Sequence, residues 1–280
     1  MNPIRNYLTI DVEDYFQVAA FQDVVNPADW DIMEQRVVRN TEKILALLAK
    51  HETRATFFIV GWIAEKFPQL VQTIHGQGHD IACHSYWHRK VYDLSPEEFR
   101  EDTRRVKSIL EDIIAEPVCG YRAPSYSITR KSLWALDILK ELGFTYDSSI
   151  FPVHHDIYGI PDAPRFPYLH ANGLVEYPIS TFRLLHWNLP VAGGGYFRLF
   201  PYWFTRYALN GIGRKDKQPF VFYCHPWEVD PEQPRFRNAP LLSKFRHYLN
   251  LAKTSERFDR LLGDFRFGPL PERPGAADVE

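Results

Sequence analysis

Gly78-His79-Asp80-Ile81-Ala82-Cys83-His84-Ser85-Tyr86-Trp87-His88 runs a short apolar segment straight into two histidines four residues apart. The apolar part reads as a β-strand. The pair His84 and His88, read as one helical turn, would put two imidazoles on one side, able to grip one metal ion. Far upstream, Thr9-Ile10-Asp11-Val12-Glu13-Asp14 ends another apolar run in a cluster of carboxylates. Two His and a carboxylate are a common donor set for catalytic zinc, with a position left open for water. The spacing alone would be weak evidence; carboxylates at a strand end strengthen it. A metalloprotease helix needs Glu directly after the first His, and Ser85 stands there instead.

Outward from this stretch, strands and helices alternate. Tyr7 to Ile10 is a short strand, and Val37 to His51 has the apolar spacing of an amphipathic helix. Ala55 to Val60 is a buried strand bounded by Gly61, and Ile63 to Gly76 is a helix interrupted at Pro68. Ser95-Pro96-Glu97-Glu98 opens a helix that runs to about Ile114. Pro117 to Tyr121 leads a strand into Arg122-Ala123-Pro124, Thr129 to Leu142 is a helix closed by Gly143, and Phe144 to Asp147 is a further strand. This rhythm implies a parallel sheet with crossover helices, and with this many units a barrel. Asp11, His84, Arg122 and Asp147 all follow strand ends, where parallel α/β folds put their active sites.

From Phe151 to about Gly213 prolines break the periodicity, and Gly193-Gly194-Gly195 reads as a tight turn or loop, not a P-loop, since no Lys-Ser/Thr follows. Phe220 to Cys224 is a late strand ending at His225. Pro240 to Gly263 reads as one terminal amphipathic helix, with Leu241, Leu242, Phe245, Tyr248, Leu249, Phe258, Leu261 and Leu262 as core candidates, and Gly275 to Glu280 as a frayed tail. No repeat and no linker divides the chain. Residues 1–230 read as one α/β domain, and 231–280 as an extension packed on it.

The 280 residues are 45% hydrophobic, enough for one sizeable core. A net charge of −2 with interleaved signs excludes a general nucleic-acid field. Cys83, Cys119 and Cys224 are too few and too scattered for a disulfide framework. Cys83 and Cys224 each precede a candidate histidine, so strand alternation makes them buried spacers, not ligands. The 15% aromatic content fits a filled core, and a sugar-stacking groove is the sharper alternative. No apolar run reaches the ~20 residues that span a bilayer, and the start of the chain lacks a signal-peptide pattern. These features read as a cytoplasmic protein.

Taken together, these motifs resemble the polysaccharide deacetylase family, the NodB-homology domain of carbohydrate esterase family 4, over roughly Tyr7 to Asp230. Within it, Asp-Val-Glu-Asp-Tyr-Phe at 11–16, the aromatic middle and the C-terminal extension resemble the subgroup tied to exosortase (PEP-CTERM) loci. The resemblance implies a distorted (β/α)7-type barrel with a C-terminal helical extension. It makes Asp11 the catalytic base, Arg122 the residue that holds Asp11 ionised, and His225 the general acid, oriented by Asp147. His84 and His88 become metal ligands. The third ligand is Asp14 or Glu13: ungapped position favours Glu13, while residue type and a shorter, stiffer reach favour Asp14, which is the preferred reading. Pro124, Tyr126 and Trp227 would meet substrate, with a backbone N–H near Tyr126 holding the oxyanion. The cofactor implied is one divalent ion, zinc first, with Co2+, Ni2+ or Fe2+ fitting similar donors. The function implied is hydrolysis of N-acetyl groups from amino sugars of a poly- or oligosaccharide in exopolysaccharide biosynthesis, with polysaccharide-synthesis proteins as partners. A cyclic imide, ureide or formamido-sugar hydrolase on the same fold, or a non-catalytic carbohydrate-binding or scaffold protein, are the alternatives.

Overall fold

β1 (Asn6–Val12) pairs with three other strands, and all seven of its residues are buried. A strand covered on both faces reads as a continuous apolar run, as Tyr7 to Val12 does apart from Thr9 and Asp11. The computed structural model describes residues 4–272. The C-terminal stretch 275–280, read above as a tail, lies outside the described residues.

Along the chain follow α1 (Val37–Lys50), β2 (Thr56–Ile59), α2 (Gly61–Lys66), α3 (Pro68–Gly76), β3 (Asp80–Cys83), α4 (Pro96–Ile114), β4 (Gly120–Tyr121), α5 (Trp134–Glu141) and β5 (Tyr146–Asp147). Then come β6 (Tyr168–Leu169), β7 (Val175–Glu176), β8 (Thr181–Leu184), β9 (Trp187–Pro190), α6 (Gly194–Leu199), α7 (Tyr202–Gly211), β10 (Val221–Cys224), α8 (Leu241–Tyr248), α9 (Leu251–Asp264) and β11 (Phe267–Gly268). The main sheet has the order β10-β1-β2-β3-β4-β5-β7-β6, with β11 also on β1. All its pairings are parallel except β6 with β7. Helices α1 to α5 are crossovers between these strands. The sheet curls but stays open, because β10 and β6 do not pair. This is the distorted NodB-type barrel expected, with a helical pair at the C-terminus.

Ser95 caps α4 through a capping box with Glu98, as its sequence foretells. Pro68 does not kink a helix; it opens α3 as the first helical residue, after Phe67 has left helical geometry. The single terminal helix expected over 240–263 is two helices. Asn250 adopts φ 54° between them, and its Nδ2 donates to the Arg198 carbonyl at 2.9 Å. The break turns α8 round: Leu241, Leu242 and Phe245 are exposed at 80%, 57% and 55%, and His247 faces inward instead. Phe258, Leu261 and Leu262 on α9 do fill the core.

The 151–213 region, which shows no periodicity, holds the antiparallel pair β8–β9 and helices α6 and α7. Its glycine run is a tight contact. Gly193 has φ 129°, and a Cβ there would sit 2.0 Å from the Tyr223 carbonyl oxygen. That contact packs α6 against the strand leading to His225. Gly193→Ala should therefore cost more than about 3 kcal/mol of unfolding free energy in a denaturant titration; a near-neutral change would mean the loop relaxes freely.

Candidate active site

The C-terminal ends of β1, β3, β4, β5 and β10 converge, and each delivers polar side chains to one small volume. Arg122, just past β4, is fully buried. Its Nη1 donates to Asp11 Oδ1 at 2.6 Å and to Thr9 Oγ1 at 2.8 Å. Its Nε and Nη2 donate to the Ser148 carbonyl and Ser148 Oγ at 3.0 and 2.7 Å. Asp11 and Arg122 thus meet as expected. An arginine this dry is tolerable only because its charge is paired and its donors are occupied.

His84 and His88 do not lie on a helical turn. They sit in the loop after β3, where Ser85 (φ 60°) and His88 (φ 52°) take left-handed geometry. The imidazoles still converge, with ring centroids 5.2 Å apart. His84 Nδ1 lies 2.8 Å from the Arg122 carbonyl, which leaves Nε2 to point into the site. One ligand atom each from Glu13, His84 and His88 falls within 4.8 Å of the others.

Glu13, not Asp14, is the carboxylate of this cluster. Asp14 is spoken for: its Oδ1 accepts the Tyr15 N–H at 2.8 Å, and its Oδ2 accepts the N–H groups of Arg36 and Val37 at 2.7 and 2.9 Å. It caps the N-terminus of α1 from outside the helix. Burial raises its pKa to about 6 against those hydrogen bonds. Strand alternation held the answer: Glu13 is two residues from Asp11 and shares its side, while Asp14 points away. Burial opposes charge on Glu13, yet His88 and His225 hold its carboxyl well below the usual range. Its Oε1 accepts from Trp227 Nε1 at 3.0 Å. Its Oε2 approaches His88 Nε2 to 2.6 Å without hydrogen-bond geometry and has no other partner. An orphaned buried carboxylate oxygen facing two imidazoles is what a divalent cation satisfies, so the residues fit a metal-binding triad.

His225 directly follows β10, and its Nε2 lies 3.5 Å from Glu13 Oε1 and 3.8 Å from Asp11 Oδ2. Burial disfavours its charge, but Glu13 and Glu228 outweigh that and raise its pKa to about 9. Asp147 does not orient it. Glu228 does: its Oε1 lies 2.5 Å from His225 Nδ1, and its Oε2 accepts from Arg198 Nε at 2.7 Å. Glu228 and Arg198 were missed in the sequence. The Pro-opened turn His225-Pro226-Trp227-Glu228 carries a signal for the first, since its i,i+3 spacing returns a carboxylate to the histidine. Nothing local marks Arg198.

Asp147 points to the other face of the sheet, where it accepts from Ser149 Oγ at 2.6 Å and lies beside Glu176, its register partner on β7. Burial, then the Glu176 charge, pushes its pKa well up. Burial also raises Glu176, to about 7. Of the expected substrate contacts, Trp227 is 5% exposed and stacked between His225 and His247, so it supports Glu13 and faces no sugar. Pro124 and Tyr126 are buried too. The Tyr126 N–H is taken by the Ala123 carbonyl at 3.0 Å, so it is no free oxyanion donor. A cavity of about 210 Å³ beside His88, lined in part by Trp30 and Trp87, opens next to the site.

Residues 29–146 match the polysaccharide deacetylase family, and residues 148–273 match a domain of unknown function, DUF3473. A Bacillus cereus peptidoglycan-N-acetylglucosamine deacetylase is 35% identical over 98 residues, 35% of this chain and 36% of that one. A Rhizobium leguminosarum chitooligosaccharide deacetylase is 31% identical over 117 residues, 42% of this chain and 50% of that one. The likeness to polysaccharide deacetylases thus lies over residues 29–146, under half of the chain. The matched segment spans between a third and a half of these relatives, as the 36% and 50% show. The fold is shared with a Mycobacterium smegmatis protein (TM-score 0.60, 19% identity, 96% of this chain and 92% of that one). It is shared too with a carbohydrate esterase family 4 pseudoenzyme from Bacillus anthracis (TM-score 0.51, 16% identity, 96% and 64%). The family match contains His84, His88 and Arg122 but neither Asp11 and Glu13 before it nor His225 after it.

The two carboxylates at 13 and 14 should separate cleanly on substitution. Glu13→Ala should abolish stoichiometric zinc uptake, measured by elemental analysis, with a folded protein left behind. Asp14→Ala should keep the metal and lose about 2 kcal/mol of stability, because three N–H groups, two of them fully buried, lose their acceptor. For the buried pair, Glu176 has a folded pKa above its unfolded one. Its stabilising effect is therefore full below about pH 4.5 and is lost as pH rises through about 7. Glu176→Gln escapes that loss, so its Tm relative to the parent protein should rise between pH 5 and pH 8; a flat or falling difference would refute the buried proton.

Proposed function

We propose that this protein is a metal-dependent deacetylase that removes N-acetyl groups from amino sugars of an oligo- or polysaccharide. The observation that carries the reading is the pairing of Asp11 and His225, a carboxylate and an imidazole 3.8 Å apart, beside the Glu13–His84–His88 cluster. A binding module would need the cluster or the aromatics, but not a base and an acid facing one another across it.

A divalent ion held by Glu13, His84 and His88 would polarise an amide carbonyl and bring the pKa of a water toward about 7. Zinc suits two imidazoles and one carboxylate with a further position free. Asp11 Oδ2 is placed to take the proton from attacking water, while Arg122 fixes the other carboxylate oxygen. His225 Nε2 carries a proton to the departing nitrogen, which an amide needs because an unprotonated amine anion is a very poor leaving group. His84 is held neutral by burial, which lowers its pKa to about 4 and keeps Nε2 available as a donor to metal.

The relatives named as peptidoglycan and chitooligosaccharide deacetylases support an N-acetylglucosamine-type substrate. A place in exopolysaccharide biosynthesis at an exosortase locus is a finer reading that rests on the Asp11–Phe16 motif, the aromatic middle and the C-terminal extension. No helix among the described residues is long and apolar enough to cross a membrane.

Acetate release from a panel of N-acetylated oligosaccharides tests the reading. Zinc-loaded protein should release acetate, chelated protein should not, and Asp11→Asn should lose at least about 100-fold in kcat with its zinc retained. Near-normal turnover in Asp11→Asn would remove Asp11 as the base. No acetate from any glycan would remove the deacetylase reading itself.

A further inference from the structure

The acid assembly of this site lies entirely in the segment that matches a domain of unknown function. His225, Glu228, Arg198 and His247 all fall within residues 148–273. The family match ends at residue 146, before any of them.

The four form one continuous chain. Glu228 Oε1 accepts the His225 backbone N–H at 3.1 Å and meets Nδ1 at 2.5 Å, which turns Nε2 toward Asp11 and Glu13. Arg198, 2% exposed, holds the other oxygen of Glu228, 1% exposed. Arg198 Nη1 donates in turn to the carbonyls of His247 and Leu249 at 2.5 and 3.1 Å, where α8 ends. The His247 ring lies 4.1 Å from Trp227, which lies 5.2 Å from His225, both nearly parallel. The ring of His225 is therefore fixed at one edge by Glu228 and on one face by Trp227, and both supports are anchored on the C-terminal extension. The residue expected for this task, Asp147, is committed to Ser149 and Glu176 on the opposite face of the sheet.

We infer that Glu228 is the positioning carboxylate of the general acid, with Arg198 and the 247–249 turn as its clamp, and that supplying this assembly is a function of the 148–273 segment. The inference rests on the deacetylase reading for the reaction it serves. In that reaction His225 Nε2 gives its proton to the amide nitrogen as the C–N bond breaks, and the bonding pair stays on nitrogen. The products are a free amine and acetic acid, which gives its proton to solvent and leaves as acetate. The proton that Asp11 takes from water leaves to solvent, and His225 regains one from solvent, so turnover closes. By holding Nδ1, Glu228 fixes the ring so that Nε2 faces the leaving group.

A purely structural ion pair would weaken every reaction of the site equally. A positioned acid matters only where the leaving group needs a proton. The test compares zinc-loaded wild type, Glu228→Gln and Arg198→Lys on an N-acetylated chitooligosaccharide and on 4-nitrophenyl acetate, whose phenolate leaves unaided. Zinc content is measured for each. In Glu228→Gln the amide rate should fall at least about 100-fold further than the ester rate, with one zinc per chain kept. Arg198→Lys should show the same selectivity in weaker form. Parallel losses on both substrates, or an unchanged amide-to-ester ratio in both variants, would overturn the inference.

A second readout needs no turnover. In ¹⁵N-histidine spectra the His225 Nδ1 proton should lie far downfield through its bond to Glu228, and should lose that position in Glu228→Gln. If wild type releases no acetate, the deacetylase reading falls and this signal alone decides the assignment of Glu228. An Nδ1 signal unmoved by Glu228→Gln would refute it.

Discussion

Arg122 is the fixed point on which the site is built. Its guanidinium reaches three strands: β1 through Thr9 and Asp11, β5 through Ser148, and β2 through the face of Phe58, 4.1 Å from the ring centroid. Its own carbonyl accepts from His84, and its N–H donates to the Cys83 carbonyl. One residue therefore orients the candidate base with its side chain and a candidate metal ligand with its backbone. Burying that charge is costly, and removing one partner of a buried pair typically costs about 3–5 kcal/mol. The same expense makes the geometry unique, because no rotation of Asp11 or Arg122 leaves the other satisfied. Open sheets tolerate shifts in strand ends; a dry arginine tying β1, β2, β4 and β5 together does not.

The strand ends were legible in the sequence because parallel strands in a curled sheet are covered on both faces and leave continuous apolar runs, while their C-terminal ends expose function. Asp11, His84, Arg122 and His225 all follow such strand ends, but their roles came from the family resemblance and not from the pattern alone; the metal histidines survived a wrong local geometry, since a left-handed loop and a helical turn both bring residues four apart together. Less visible was anything fixed by contacts remote in sequence. Asp14 looked like a ligand by residue type, but the groups that claim it, the N–H groups of Arg36 and Val37, lie more than twenty residues on. Asp147 looked like a partner for His225 because both follow strands. Alternation sends its carboxylate to the far side of the sheet, whereas its neighbour Ser148 faces Arg122.

The terminal region failed for a related reason. Its apolar periodicity is real, but helical register cannot show where a helix stops. Asn250 can adopt the left-handed region at little cost, and that single residue turns α8 so that its leucines face out and His247 faces in. The inward histidine is what lets the extension reach the site at all. Stacked on Trp227, its Nε2 bonded to Gln233 at 2.6 Å and its carbonyl bonded to Arg198, it is wedged between the helix end and the acid.

Glu13 is where the two halves of the chain meet. One oxygen is committed to Trp227, from the C-terminal half; the other faces His88, from the family-matched half, with no hydrogen bond to satisfy it. The indole thus decides which oxygen is left for a cation and holds it there. A site whose ligand carboxylate is oriented by one segment, and whose histidine ligands and Arg122 come from another, is assembled only when both segments are folded against each other. The division of the sequence match at residue 147 therefore cuts through one candidate site and does not separate two. An isolated 29–146 fragment would hold His84, His88 and Arg122, but none of Asp11, Glu13 or His225, and so neither the candidate base, the candidate acid nor the third member of the cluster.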